Sequence, residues 1–147
     1  LSEKNKERMQ KFWEWRLDEN ASKKEILEFG HWINKDRDIF PVTWHAEQMK
    51  KTLEITEGKI DWEYGLIRTL PRWINEVPEI VVDIVELLTR AKFEEDRGYY
   101  AYRKEFLEIL DELYKKEELK PKVYDIVNFL VAHGQWEAKK IVEDEKE

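Results

Sequence analysis

One pair of residues in this sequence has the types and spacing of metal ligands. Glu28 and His31 form a Glu-x-x-His pair, which would place a carboxylate and an imidazole on one face of a helix. In helix bundles that hold two metal ions, two such pairs converge with a carboxylate from each of two further helices. This chain has a single pair, because His45 and His133 lack a carboxylate three residues earlier. We therefore predict no metal and no cofactor, and we interpret His31 as a polar histidine near a helix end.

Residues suited to nucleophilic catalysis are almost absent. Cysteine does not occur, which excludes disulfides, thiolate zinc sites, iron–sulfur clusters and cysteine nucleophiles. Serine occurs only at Ser2 and Ser22, and Ser22 stands where a helix cap is expected. The sequence has no Gly-x-Ser-x-Gly, His-Glu-x-x-His or glycine-rich phosphate-binding motif. We therefore predict that the chain is not an enzyme.

The composition is that of an acidic chain with a substantial apolar core. Its 147 residues include 26 basic and 33 acidic side chains, a formal net charge of −7, yet 41% are hydrophobic and seven are tryptophan. This apolar content is too high for a disordered acidic segment, and the length fits one domain. No run approaches the ~20 apolar residues of a membrane span, and no secretory leader opens the chain. We expect a cytoplasmic protein without a membrane partner and, because Leu1 stands where Met is usual, a segment of a longer protein.

Apolar residues spaced three and four apart predict helices along the whole chain. The pair Ser22 and Glu25 predicts a capping box, in which each side chain accepts a hydrogen bond from the other residue's backbone at the start of a helix near residue 23. Asp61 is predicted to cap a helix over about residues 61–76. The resulting fold class is all-α, with about seven to eight helices.

Prolines and glycines predict several helix boundaries. Proline at the first helical position removes an N–H that would be unpaired there, and glycine adopts the left-handed backbone that ends many helices. The predicted starts are Pro41, Pro78 and Pro121, and the predicted stops are Gly58 and Gly134.

A pair of helices recurs along the chain. Trp32-Ile33-Asn34 reappears 41 residues later as Trp73-Ile74-Asn75, and residues 83–88 resemble residues 125–130, 42 residues on. Matches that agree in period predict stacked helical hairpins, which bury their apolar faces against their neighbours. We predict one domain over 1–147, with an opening helix over 3–19, repeats over 22–58, 60–95 and 98–133, and a closing helix and charged tail over 134–147.

These repeated pairs resemble the HEAT-like α-helical repeat family, whose first helix often contains a bending proline, as Pro71 would be here. The resemblance implies an α-solenoid of three helix pairs with flanking helices. The opening segment Phe12-Trp13-Glu14-Trp15-Arg16-Leu17 also resembles helical C-terminal regions of large prokaryotic NTPase and defence proteins. That resemblance implies a partner-binding or sensing segment, with catalysis elsewhere in the parent chain.

The second helix of each predicted pair carries an outward stripe headed by an apolar residue. Second helices of stacked pairs line the concave side of a solenoid, where aromatic anchors contact a partner helix or peptide. Trp15 lies outside the apolar stripe of the opening helix that contains Trp13, so we also predict that it binds a partner. The predicted partner-binding residues are Trp15, Trp44, Lys51, Val82, Glu86, Arg90, Tyr124 and Asn128. They predict a non-catalytic interaction or regulatory module whose partner is a protein, a peptide or another domain of the parent chain.

A nucleic-acid-binding HEAT-like domain is the alternative. Clustered lysine and arginine residues contact phosphates, and acidic residues on the same surface oppose that contact. The candidate cations are Lys50, Lys51, Arg68, Arg72, Lys115, Lys116, Lys120 and Lys122. Because Glu47, Asp83 and Glu86 interrupt the same surface, we prefer the protein-binding hypothesis.

Overall fold

A computed structural model describes residues 2–19, 21–94 and 98–143, and every regular element within these ranges is helical. The predicted all-α class is therefore confirmed, and the charged end of the predicted tail, residues 144–147, lies outside the described residues. The α-helices in these ranges are α1 (Glu3–Asp18), α2 (Lys23–Leu27), α3 (Val42–Thr56), α4 (Glu63–Trp73), α5 (Pro78–Glu94), α6 (Tyr99–Tyr114), α7 (Lys120–Ala132) and α8 (Lys139–Glu143). Short 3₁₀ segments cover Glu28–Trp32, Glu117–Leu119 and Trp136–Ala138.

Half of the predicted capping box forms at the start of α2. The Ser22 hydroxyl oxygen accepts a hydrogen bond from the Glu25 backbone N–H at 3.3 Å. The Glu25 carboxylate instead accepts a hydrogen bond from the Arg16 guanidinium at 2.6 Å. Because Arg16 belongs to α1, the Glu25 side chain joins two helices rather than closing the cap of one.

Most of the proline and glycine predictions fall within one residue of the observed boundaries. Pro78 is the first residue of α5, as predicted, whereas Pro41 directly precedes α3 and Pro121 is the second residue of α7. Gly58 and Gly134 follow α3 and α7 with φ angles of 85° and 90°. Both values lie in the left-handed region, so these two stops depend on glycine.

The prediction that Asp61 caps α4 is wrong. Trp62 occupies the cap position with a left-handed φ of 56° and no side-chain cap, and the helix covers Glu63–Trp73 rather than residues 61–76. Asp61 instead donates its backbone N–H to the carbonyl of Leu27 at 3.0 Å. The Asp61 carbonyl also occupies the space that a Cβ atom on Gly30 would need. The turn before α4 therefore packs backbone against backbone on the 28–32 segment.

The helices contact one another in two successions that follow the chain. α3 packs on α5 in the most extensive contact, and α5 packs on α7. In the other succession, the 28–32 segment contacts α4, α4 contacts α6, and α6 contacts α8. α1 packs on α3, while α5 also contacts α4 and α6. The core thus lies between the two successions, with α5 at its centre.

Three apolar residues of α5 and their matches at the 42-residue period are buried alike. Ile84, Val85 and Leu88 of α5 are buried, as are their counterparts Ile126, Val127 and Leu130 of α7. The matched residues therefore serve the core in both helices.

Trp13 joins three elements at the N-terminal end of the core. Its ring is fully buried and stacks on Phe29, with centroids 4.6 Å apart and planes within 2°. Its indole N–H donates to the Thr52 hydroxyl oxygen at 2.9 Å, and that hydroxyl donates to the Gln48 carbonyl at 2.7 Å. The indole is therefore satisfied as well as buried, and it links α1, the 28–32 segment and α3.

His45 is buried in the same region among aromatic rings. Its ring centroid lies 5.5 Å from that of Trp13, 5.2 Å from Phe40 and 5.1 Å from Trp73. Neither ring nitrogen has a hydrogen-bond partner among the described residues. Burial lowers the pKa of His45 to about 4, against the opposing effect of the Asp38 carboxylate. Within this cluster the imidazole is therefore neutral at pH 7.

Replacing Trp13 by alanine should strongly destabilise the fold. Loss of a fully buried indole and its hydrogen bond is expected to lower the free energy of unfolding by about 3 to 5 kcal/mol, measured by denaturant unfolding. Trp15→Ala in the same helix is the matched control, because that side chain is 51% exposed. It should change the free energy of unfolding by no more than about 0.5 kcal/mol. Equal effects of the two variants would contradict the central role of Trp13.

Acid should destabilise the protein through His45. Below pH 6.5 the unfolded chain binds a proton that the folded chain excludes, so stability falls as the pH drops from 6.5 towards 4. The loss is about 1.4 kcal/mol per pH unit and up to about 3 kcal/mol over that window. His45→Met should remove this slope in unfolding experiments between pH 4 and 7, whereas His31→Met, at an exposed position, should retain it. A slope that survives in His45→Met would disprove the assignment.

Candidate interaction surface

The stripe predicted on α5 turns from the core towards solvent. Val82 is only 1% exposed, Glu86 is half-buried and Arg90 is exposed. Positions four residues apart on an α-helix rotate by about 40° per step, so such a stripe crosses from one face to the next. The prediction of Val82 as a partner-binding residue is therefore wrong, since the neighbours of α5 cover it.

The half-buried Glu86 and the exposed Arg90 contact each other, and Arg90 also contacts α7. The Arg90 guanidinium lies 3.7 Å from the Glu86 carboxylate and 4.7 Å from the ring centroid of Phe129. Phe129 was not among the predicted residues, although it matches Leu87 at the 42-residue period. The contact brings the outer faces of α5 and α7 together.

Tyr124 and Asn128 are both exposed on α7, as the hypothesis requires. They line a small cavity of about 90 Å³ together with Val131 and Val142, between α7 and α8. Lys51 is exposed on α3. The structure thus pairs Tyr124 with Asn128, and Glu86 with Arg90, on neighbouring helices.

The two predicted tryptophans differ in their surroundings. Trp44 is half-buried, with its ring centroid 5.6 Å from Trp13 and 5.2 Å from Phe40, and it donates to the Glu14 carboxylate at 3.4 Å. Trp15 is exposed, with the Arg16 guanidinium 4.8 Å above its ring. Trp44 therefore belongs mainly to the N-terminal aromatic cluster, whereas Trp15 is available at the surface of α1.

Asp83 connects three helices in the succession α3, α5 and α7. Its carboxylate accepts hydrogen bonds from Lys50 of α3 at 2.9 Å and from Lys122 of α7 at 2.8 Å. Partial burial acts to raise the pKa of Asp83, but the bonds from Lys122 and Lys50 outweigh it and hold the pKa below its usual value. Asp83 is therefore a charged bridge across the outer face of these helices.

Most of the cations considered for phosphate binding already have acidic partners. Besides the two lysines on Asp83, ion pairs join Arg72 to Asp38 at 3.1 Å, Lys115 to Glu112 at 2.8 Å and Lys120 to Glu117 at 3.1 Å. Five of the eight candidate cations thus form ion pairs with four carboxylates of the chain, which lowers the positive potential that phosphate would meet.

Three aromatic residues that were not among the predicted partner-binding residues are more than half exposed. Trp62, Tyr100 and Trp136 are 52%, 73% and 72% exposed and stand at the starts of α4, α6 and the segment before α8. Tyr100 accepts a hydrogen bond from the Gln135 amide at 3.4 Å, which links the last two starts. We call Trp62, Tyr100 and Trp136 the aromatic edge. None of them lies on the outward stripes that the sequence predicted for the second helices, so the spacing of apolar residues did not identify them as surface residues.

The backbone at Trp62 is unusual for a bulky residue. Its φ of 56° lies in the left-handed region that large side chains rarely adopt. The indole packs over Gly65, where a Cβ atom would lie 2.6 Å from the indole nitrogen. Gly65 therefore provides the space that holds this exposed tryptophan in place.

The Glu28 and His31 pair is not part of a metal-ligand cluster among the described residues. The imidazole Nε2 of His31 lies 3.7 Å from a carboxylate oxygen of Asp61. Among the residues that the structure describes, no group of three histidine, aspartate or glutamate side chains is arranged to hold a metal ion.

None of the described helices is long and apolar enough to cross a membrane.

Comparisons with protein-family models, curated proteins and solved structures found no match to this chain.

Removing the charge of Asp83 should loosen the contact among α3, α5 and α7. Asp83→Asn is expected to lower the free energy of unfolding by about 1 kcal/mol, and the loss should shrink in 1 M NaCl because salt screens ion pairs. Asp125→Asn, at the exposed matching position 42 residues on, is the control and should have no measurable effect. If Asp83→Asn and Asp125→Asn lower the stability equally, as measured by thermal and denaturant unfolding, the bridge at Asp83 does not stabilise the contact among the three helices.

Proposed function

We propose that this chain is a non-catalytic helical-repeat module that binds protein partners, built as an α-solenoid of three helical hairpins with flanking helices. The observation that carries the proposal is the set of exposed aromatic side chains held on a well-packed helical scaffold. Aromatic residues dominate the energetics of protein interfaces, so exposed aromatic side chains on a rigid scaffold are suited to anchoring a partner.

The order of helix contacts supports the solenoid. In a stack of hairpins, first helices contact first helices and second helices contact second helices. The 28–32 segment, α4, α6 and α8 follow one another in this way, and so do α3, α5 and α7. The bridge from Lys50 through Asp83 to Lys122 joins α3, α5 and α7, which are the second helices of the proposed hairpins.

Two exposed regions are suited to partner contact. The first comprises Tyr124, Asn128 and the Glu86–Arg90 pair on the outer faces of α5 and α7. The second is the aromatic edge. Rigid aromatic side chains lose little conformational entropy on binding, so residues presented in this way make efficient anchors.

Nucleic acid is the less favoured partner. The net charge is −7, and five of the eight candidate cations form ion pairs with acidic residues. Binding to phosphates would require those pairs to break. A weak mobility shift that vanishes between 50 and 200 mM salt is the most we expect with duplex or single-stranded probes.

Replacing exposed aromatic residues should weaken partner capture without unfolding the domain. Tyr124→Ser, Trp136→Ser and Trp15→Ser, alone and combined, are expected to reduce recovery of specific partners by at least about fivefold. Recovery would be measured by affinity capture with quantitative mass spectrometry, with helical content checked by circular dichroism.

The control is a combined Lys4→Ser, Glu54→Ser and Lys140→Ser variant, which changes three exposed residues without removing an aromatic ring. It should retain capture. If the aromatic and control variants recover the same proteins in the same amounts, the exposed aromatic residues do not bind partners. Recovery of nucleic acid that persists at 200 mM salt would favour the alternative.

A further inference from the structure

A groove of about 650 Å³ runs between α4 and α6. Tyr64 near the start of α4 contacts Tyr102 near the start of α6, with ring centroids 6.5 Å apart, so the two helices point the same way. Of the apolar residues that line the groove, Pro71 is exposed, whereas Ile67 and Ile109 are buried beneath it. The volume is sufficient for several large side chains from another molecule.

The α6 side of this groove is strongly acidic. It is lined by four carboxylates: Glu105, Glu108, Asp111 and Glu112. The α4 side contributes one cation, Arg68, and Lys115 pairs with Glu112 at 2.8 Å. Within the described ranges, Glu105, Glu108 and Asp111 form no ion pair, although Asp111 also interacts electrostatically with Lys115. The groove therefore combines the exposed Pro71 with an acidic wall that carries more carboxylates than there are cations beside it.

This charge arrangement opposes the stability of α6. Carboxylates three and four residues apart on one helix repel each other. Asp111 and Glu112 also lie in the last turn of α6, where the helix dipole is already negative. A cation placed in the groove would relieve both effects.

We propose that the α4–α6 groove binds a basic amphipathic helix of a partner protein, with apolar side chains on Pro71 and its neighbours and lysine or arginine side chains on the α6 carboxylates. This inference rests on the proposed interaction function and names the chemistry of one partner. A helix laid into a groove between two helices uses apolar anchors at one face and charges at its flanks. The positive charge of such a helix also matches the net charge of −7, which attracts it from a distance.

Other occupants fit the groove less well. Phosphate groups of nucleic acids or lipids would be repelled by the carboxylates. A second copy of the chain carries the same net charge of −7 and is repelled overall. The described residues hold no three-ligand arrangement for a metal ion.

The test uses a fluorescein-labelled synthetic peptide of 18 residues, with one stripe of leucine and a tryptophan flanked by lysine and arginine. Binding to the full chain is measured by fluorescence anisotropy at low salt. Two control peptides accompany it: one has glutamate in place of every basic residue, and the other has the same composition in an order without an apolar stripe. We expect binding of the first peptide only.

The matched protein variants neutralise three carboxylates in or away from the groove. Glu105→Gln/Glu108→Gln/Asp111→Asn should weaken binding by about tenfold, whereas Glu47→Gln/Glu54→Gln/Asp125→Asn, at exposed positions of α3 and α7, should weaken it by less than about twofold. The groove variant should also melt at a higher temperature, because like-charge repulsion is removed. In NMR spectra, the side-chain amide of Asn75, which lines the groove, should shift on binding.

Several outcomes would overturn the proposal. Equal weakening by both protein variants, or equal binding of the peptide without a stripe, would show attraction to acidic surface in general. Absence of binding at low salt would exclude a basic partner helix. Self-association of the chain through the groove, seen as a molecular mass that rises with concentration, would exclude it as well. These outcomes leave capture through Trp15, Tyr124 and Trp136 untouched, so the groove hypothesis and the proposed function fail separately.

Discussion

The arrangement of this domain depends on the burial of α5. Its seven buried residues, Val81, Val82, Ile84, Val85, Leu88, Thr89 and Ala91, cover about half of the helix circumference at 100° per residue. An ordinary surface helix buries a stripe of roughly 100° and needs one neighbour. A helix with twice that arc must be covered from several sides, and α3, α4, α6 and α7 supply the cover. The two successions of helices then follow, because both pass alongside α5.

Local rules in the sequence predicted local structure well, and they lost accuracy where distant residues compete. Ser22 caps α2 and Pro78 begins α5 as predicted, because these effects involve only nearby backbone. Asp61 does not cap α4, because its backbone N–H pairs with the Leu27 carbonyl across the fold. Val82 is buried, contrary to the prediction, since the spacing of apolar residues does not reveal how much of the helix circumference its neighbours cover. From the sequence, Asp83 was interpreted only as an acidic residue that would oppose phosphate binding. Its two lysine partners lie 33 and 39 residues away, and these separations match neither the helical period nor the 42-residue spacing of the sequence matches, so no pattern identified them. The exposed residues of the candidate surface were found only in part, since exposure depends on which neighbours cover each helix.

Charge is distributed unevenly over this acidic molecule. Across α3, α5 and α7 the charges are largely matched, with one carboxylate serving two lysines. Along α6 they are not, and carboxylates crowd one side of a groove at the negative end of a helix. Such repulsion reduces stability in the isolated chain. The contrast separates a face whose charges hold the fold together from a face whose charges are available to another molecule.

The backbone contact at Gly30 has a consequence for the divergence of this protein. Because the Asp61 carbonyl fills the space beside Gly30, no side chain can replace that hydrogen without separating the 28–32 segment from the turn before α4. A similar limit applies at Gly58, where the Leu87 carbonyl lies close and the backbone is left-handed. Surface and even core residues can drift through compensating changes, but a missing Cβ has no substitute. Descendants of this sequence that keep these two backbone contacts should therefore share two glycines 28 positions apart, even after the rest of the chain has ceased to look alike.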